Sequence, residues 1–164
     1  IAFPYYDLTP LSDLHLTLDR IAFEDDITPD QLGAIEAAAT GASRKIAPFY
    51  VTLGRLGGTA GAVGFTAFPA LPLRELRNAF RVTTLSVYQG APVRRSDFHP
   101  HVAIAYANSD GVPAAEAIAA VEKLNATAYV DVTIEEGALV LLERRLRSYR
   151  WQAISRIPLT GLRP

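Results

Sequence analysis

The chain has 164 residues, 49% of them hydrophobic and 20% charged, with a formal net charge of −1. That length suffices for one domain, 1–164, with a substantial core, while the charge argues against gripping long nucleic acid through many phosphates and leaves a small nucleotide or an RNA end compatible. The absence of cysteine excludes disulfides and thiolate metal sites, and no apolar run approaches the ~18 residues of a membrane span. Ile1 to Asp7 lack the basic and apolar regions of a signal peptide, so the default expectation is a cytoplasmic protein, and a monomer.

The first patterned segment, Asp13 to Ile21, alternates like a half-buried strand, with Leu14, Leu16 and Leu18 on one face and His15, Thr17 and Asp19 on the other. Thr28-Pro29-Asp30-Gln31 supplies an N-cap, a proline at the first helical position and a capping-box Gln, predicting a helix to about Ala39 that Gly41 ends. Phe49 to Leu53 and Val63 to Phe68 read as strands joined by a hairpin or a glycine-rich loop, Gly54 to Gly61, which matches no P-loop pattern. A helix is expected from about Pro72, where Leu73, Leu76 and Phe80 form an apolar stripe beneath Arg74, Glu75 and Arg77.

The second half offers a strand around His101, with Val102, Ile104 and Tyr106 on one face and His99, His101, Ala103 and Ala105 on the other. A helix from about Pro113 to Leu124 and a strand from Ala128 to Glu135 follow. A hairpin turn near Glu136-Gly137 is expected to lead into Ala138 to Glu143, and Arg144 to Arg147 into a last strand from Tyr149 to Ile157. Strand and helix signals alternate without a regular βαβ rhythm, which predicts an α+β fold of antiparallel sheets with helices on their outer faces.

All three histidines lie in two motifs of one form, His15-Leu16-Thr17-Leu18 and His99-Pro100-His101-Val102-Ala103-Ile104. Each motif is followed by a polar loop and a proline-opened helix, at Pro29 and Pro113, so the chain reads as two related halves that each offer one histidine. Imidazole titrates near neutral pH, and two imidazoles at one site can serve as general base and general acid. A metal centre competes with this reading, but only His99 remains as a third imidazole and no metal-spaced cluster accompanies it. No metal and no cofactor are therefore expected.

These motifs, H-h-T-h and H-h-A-h with h apolar, resemble the paired signatures of the two-histidine (2H) phosphoesterases, the superfamily of 2′-5′ RNA ligases and RNA cyclic phosphodiesterases. The likeness continues through Leu16 to Phe23, Leu53 to Phe65, Phe98 to Asn108 and Ser148 to Leu159, roughly the whole chain. It implies a bilobed domain with pseudo-twofold related lobes, and His15 and His101 as catalytic residues across a central cleft. The implied chemistry is metal-independent hydrolysis of a 2′,3′-cyclic phosphate or 2′-5′ phosphodiester, on an RNA terminus or a small nucleotide, or the reverse ligation. Which histidine acts as base stays open.

Thr17 stands two residues past His15 and on its face, where a hydroxyl can donate to a phosphate oxygen. The matching residue in the second motif is Ala103, where the resembled family usually has Thr or Ser. That departure supports an alternative, a catalytically weak or inactive module that binds nucleotides or RNA ends. His99 is expected at the rim of the site. Tyr106 has the parity of the core. Tyr149 and Trp151 read either as core or as stacking platforms for a base, and Arg144, Arg145, Arg147 and Arg150 either as a phosphate-facing rim or as a solvated turn. Of the 16 cationic side chains only Lys45 and Lys123 are lysine, a bias that fits phosphate binding and genomic base composition equally.

Overall fold

A computed structural model describes residues 3–93, 97–125, 129–145 and 148–162. Its ten principal elements are, in chain order, β1 (Tyr6–Leu8), α1 (Pro29–Ser43), β2 (Phe49–Gly58), β3 (Ala62–Phe68), α2 (Ala70–Val87), β4 (His101–Ala107), α3 (Ala114–Glu122), β5 (Val130–Ile134), β6 (Glu136–Arg145) and β7 (Ser148–Pro158). Five strands form one sheet in the order β1-β4-β3-β2-β5, and β6 pairs with β7 in a second. Every pairing is antiparallel, which is the α+β architecture expected.

One face of the larger sheet is apolar and covered. Val51 and Ala67 pack with Leu73 of α2, while Val63 and Ala105 pack with Leu56 and with Val121 of α3. On the opposite face the register aligns Gly54 with Thr66, Thr66 with His101, and Thr52 with Phe68. Side chains of paired residues share a face, so this second face carries the polar groups. The predicted hairpin between Phe49 and Phe68 is present, with β2 running on to Gly58 through an irregularity between Gly54 and Gly57. Arg55 lies in that irregularity with φ of 50°, the left-handed region.

α1 begins as its sequence predicts. Gln31 N donates to Thr28 Oγ1 at 3.2 Å, and Thr28 N donates to Gln31 Oε1 at 2.9 Å, closing the capping box. The helix does not stop before Gly41 but runs to Ser43. Burial of Ile35, Ala39 and Ser43 on one stripe outweighs the cost of about 1 kcal/mol that a mid-helix glycine carries. α2 starts at Ala70 rather than Pro72, and Arg77 is only 7% exposed, beside Leu73 and Leu76 at 2% each.

Three further expectations are corrected. The segment around His15 joins no ladder: Leu11–Asp13 is a 3₁₀ turn and 14–23 carry no strand. Its backbone is held in part by a side chain instead, since Arg77 Nε donates to the Leu18 carbonyl at 3.1 Å. The hairpin at Glu136-Gly137 is absent: β5 pairs with β2, and β6 then changes sheets to pair with β7. Gly137 serves close packing there, because a Cβ on it would lie 2.4 Å from the Phe80 ring of α2. The start of the strand expected from Ala128 lies outside the described residues.

Finally, β4 contains a bulge. Val63 pairs with Ala105 and Gly64 with Ala103, so one step on β3 spans two residues of β4 and Ile104 is the extra one. Strict alternation predicted Ala105 on the face of His101 and Tyr106 on the core face. The bulge exchanges them: Ala105 enters the core with Val63, and Tyr106, opposite Ala62, joins the face of His101 and Ala103.

Candidate active site

His15 and His101 are held by the same local contact. Nδ1 of His15 lies 2.7 Å from the carbonyl oxygen of Asp13, and Nδ1 of His101 lies 2.8 Å from that of His99. A carbonyl oxygen only accepts, so each neutral ring carries its proton on Nδ1 and leaves the Nε2 lone pair for another partner. His15 is half-buried and His101 exposed. Their segments rest on one core, because Leu16, next to His15, and Phe98, just before the second motif, both pack on the cluster of Val51, Ala67 and Leu73.

Arg77 ties the two segments together from below. Its Nη2 donates to Asp19 Oδ1 at 3.2 Å, in addition to the bond to Leu18, and its guanidinium carbon lies 4.7 Å from the centre of the Phe98 ring. Arg81, one turn on, grips the same carboxylate with Nε at 2.8 Å and Nη2 at 2.9 Å. The hydrogen bond that Arg81 donates to Asp19 raises its pKa against the lowering effect of burial. Sequence reading missed this group. The signal was present: Leu73, Leu76, Arg77 and Phe80 stand at i, i+3, i+4 and i+7, so Arg77 belongs to the apolar stripe.

Thr17 is exposed, whereas Ala103 is buried at 6% exposure. His99 is exposed just before β4 begins, and its main chain serves as the anchor of His101. β7 brings Tyr149 onto the histidine-bearing face: its ring meets Tyr106 edge-on with centroids 5.0 Å apart. Burial, and then the neighbouring Tyr149, raise the pKa of Tyr106. Trp151 stands two residues along the same strand, half-buried, and its Nε1 is buried with no hydrogen-bond partner. The expected arginine rim divides. Arg144 lies over the Tyr149 ring at 5.9 Å, Arg150 pairs across the strands with Glu143 on the other face, and the Arg145 side chain and Arg147 lie outside the described residues.

Elsewhere, an open groove of ≈ 550 Å³ is lined by Lys45, Tyr50, Glu75 and Leu162 and contains none of the histidines. Among the described residues no three His, Asp or Glu side chains gather as a metal-binding group, and no helix is long and apolar enough to cross a membrane.

Two histidine motifs set on one core, one in a strand of an antiparallel sheet and one in an irregular segment beside it, fit the paired signatures of the 2H phosphoesterases, and residues 2–146 match the 2′-5′ RNA ligase superfamily. The chain belongs to that family. No curated protein matches it by sequence. Among solved structures it is similar to TT0787 of Thermus thermophilus, with a TM-score of 0.73 and 20% identity over 97% of this chain and 85% of that one. It is also similar to E. coli LigT complexed with 3′-AMP, with a TM-score of 0.68 and 21% identity over 96% and 84%. LigT complexed with ATP gives a TM-score of 0.66 at 21% identity over the same shares, 96% and 84%. At such identities the structural likeness speaks for the fold.

Proposed function

We propose that this chain is a metal-independent phosphoesterase acting on a 2′,3′-cyclic phosphate or a 2′-5′ phosphodiester, at an RNA terminus or in a small nucleotide. The observation that carries this reading is the common anchoring of His15 and His101 through Nδ1, which leaves both Nε2 atoms for proton transfer. In hydrolysis, Nε2 of one neutral histidine takes a proton from water as its oxygen attacks phosphorus. The other histidine, protonated, gives its proton to the leaving ribose oxygen. The Thr17 hydroxyl donates to a nonbridging oxygen as charge builds there. Run backwards, the same transfers join a ribose hydroxyl to the phosphate and expel water. With a ribose hydroxyl in place of water as the attacking group, they instead open a cyclic phosphate, form the new phosphodiester and protonate the released ribose oxygen, which is ligation. Tyr149 and Trp151 fit a base-stacking platform, and the nucleotides bound to E. coli LigT in its solved complexes support a nucleotide-sized substrate.

A second reading rests on Ala103: a module that binds the phosphate without turnover. Assay of 2′,3′-cyclic mononucleotides in the presence of EDTA separates the two. Turnover that persists with chelator and disappears in His15→Ala and His101→Ala supports the phosphoesterase. Tight binding without turnover supports the module, and activity that EDTA abolishes and zinc or manganese restores refutes metal independence.

A further inference from the structure

We propose that Thr66 of β3 supplies the hydroxyl donor on the His101 side of the phosphate, the role for which residue 103 lacks a hydroxyl. This inference rests on the phosphoesterase reading above and adds one residue to it.

The two motifs are unequal. His15 has Thr17 two residues on, whereas His101 has Ala103, which has no donor and is 6% exposed. Stabilising the growing charge on phosphate oxygens from one side only would forgo a contact of the kind whose loss costs about a hundredfold in rate. The sheet offers a replacement. Thr66 is paired directly with His101 in the β3–β4 register, and both residues are exposed. Paired residues of antiparallel strands project to the same face, with Cβ atoms about 4.5 to 5.5 Å apart. A residue two positions along the same strand is farther away, about 6.6 Å. By this spacing the Cβ of Thr66 stands nearer to that of His101 than the Cβ of residue 103 does.

The other threonines of this face are placed differently: Thr52 Oγ1 donates to Asp131 Oδ1 at 2.6 Å, and Thr133 lies on the edge strand β5 opposite Tyr50, two strands from β3. The bulge at Ile104 also matters. It begins only after Ala103, so the pairing of Thr66 with His101 lies in the regular stretch of the ladder, which keeps the two residues side by side on one face. A phosphate oxygen accepting from Thr66 Oγ1 while its neighbour meets His101 Nε2 would complete on β3 and β4 what Thr17 and His15 provide on the other segment.

The test uses Thr66→Val, which keeps shape and strand preference but removes the hydroxyl, together with Thr66→Ser, Ala103→Thr and the Thr66→Val/Ala103→Thr double variant. On a 2′,3′-cyclic mononucleotide, Thr66→Val is expected to lower kcat/KM on the order of 10²-fold, mostly in kcat. Thr66→Ser should retain most of the rate, and Ala103→Thr should recover at least about tenfold of the loss. Unfolding curves should be superimposable. Titration with inorganic phosphate, followed through the His101 imidazole NMR signals, gives a readout independent of turnover, and Thr66→Val is expected to weaken it several-fold. The proposal is overturned if Thr66→Val stays within twofold of wild type in turnover while His101→Ala is inactive, or if its phosphate affinity is unchanged. Failure of the phosphoesterase reading has a different signature: His15→Ala and His101→Ala turn over no worse than wild type.

Discussion

Arg77 and Asp19 join α2 to the chain just beyond His15, with 3.2 Å between Nη2 and Oδ1 and only 8% and 14% of the two side chains exposed. Because the same guanidinium also holds the Leu18 carbonyl and covers Phe98, its removal leaves a buried carboxylate and a backbone oxygen short of donors. Arg77→Met should cost about 3 kcal/mol in urea unfolding, and Arg77→Lys should recover little, since a single ammonium cannot reproduce the planar fork. Arg81→Ala, at the more exposed partner, should cost less. A loss below about 1 kcal/mol for Arg77→Met would mean that the pair is a surface-like contact.

The anchoring of the two imidazoles bears on pH dependence. If His15 and His101 divide the roles of base and acid, kcat/KM against pH should be bell-shaped, with one limb from each ring. Alanine at either position should remove at least about 10² of the rate. A single-limbed profile in the wild-type protein would show that only one of them moves a proton.

Tyr106 gives a second, independent pH signature. Its pKa is raised from the ordinary 10.0 by burial and then by Tyr149, so the folded state favours the protonated phenol. The stability it contributes is full below pH 10 and is lost as pH rises through the folded-state value. Tyr106→Phe should therefore flatten the fall in unfolding free energy between about pH 9.5 and 11 relative to wild type. Parallel curves for the two proteins would contradict the assignment.

Gly137→Ala tests the switch between sheets. The new methyl would stand 2.4 Å from the Phe80 ring, an overpacking expected to cost about 1 to 3 kcal/mol. Phe80→Leu, which withdraws the ring edge, should offset part of that loss in the double variant. Additive losses in a double-mutant cycle would show that the two residues do not meet.

What could be read from sequence was local. The capping box at Thr28 and Gln31 fixes the start of α1 by contacts three residues apart, and the paired motifs single out both histidines by their letters alone. What could not be read required a partner. Glu136-Gly137 has the composition of a turn, but its glycine answers to a helix more than fifty residues earlier. The His15 segment alternates like a strand, but its backbone finds a guanidinium where a ladder was expected. The face of Tyr106 depends on a mismatch with β3 that no single strand records. Arg77 was within reach of helical arithmetic and hidden only by its charge.

The extra residue in β4 divides that strand into two separately indexed scales, much as a vernier slides against a rule. Residues 101–103 keep step with Thr66, Phe65 and Gly64, while 105–107 keep step with the far end of β3 and with β1. The bulge between them, more than residue identity, therefore decides which side chains share the face of His101. A relative with the same residues but no bulge at Ile104 would present the methyl of Ala105 on the face where this protein presents the phenol of Tyr106. Alignments of such strands by composition alone would pair residues that never occupy the same side of the sheet.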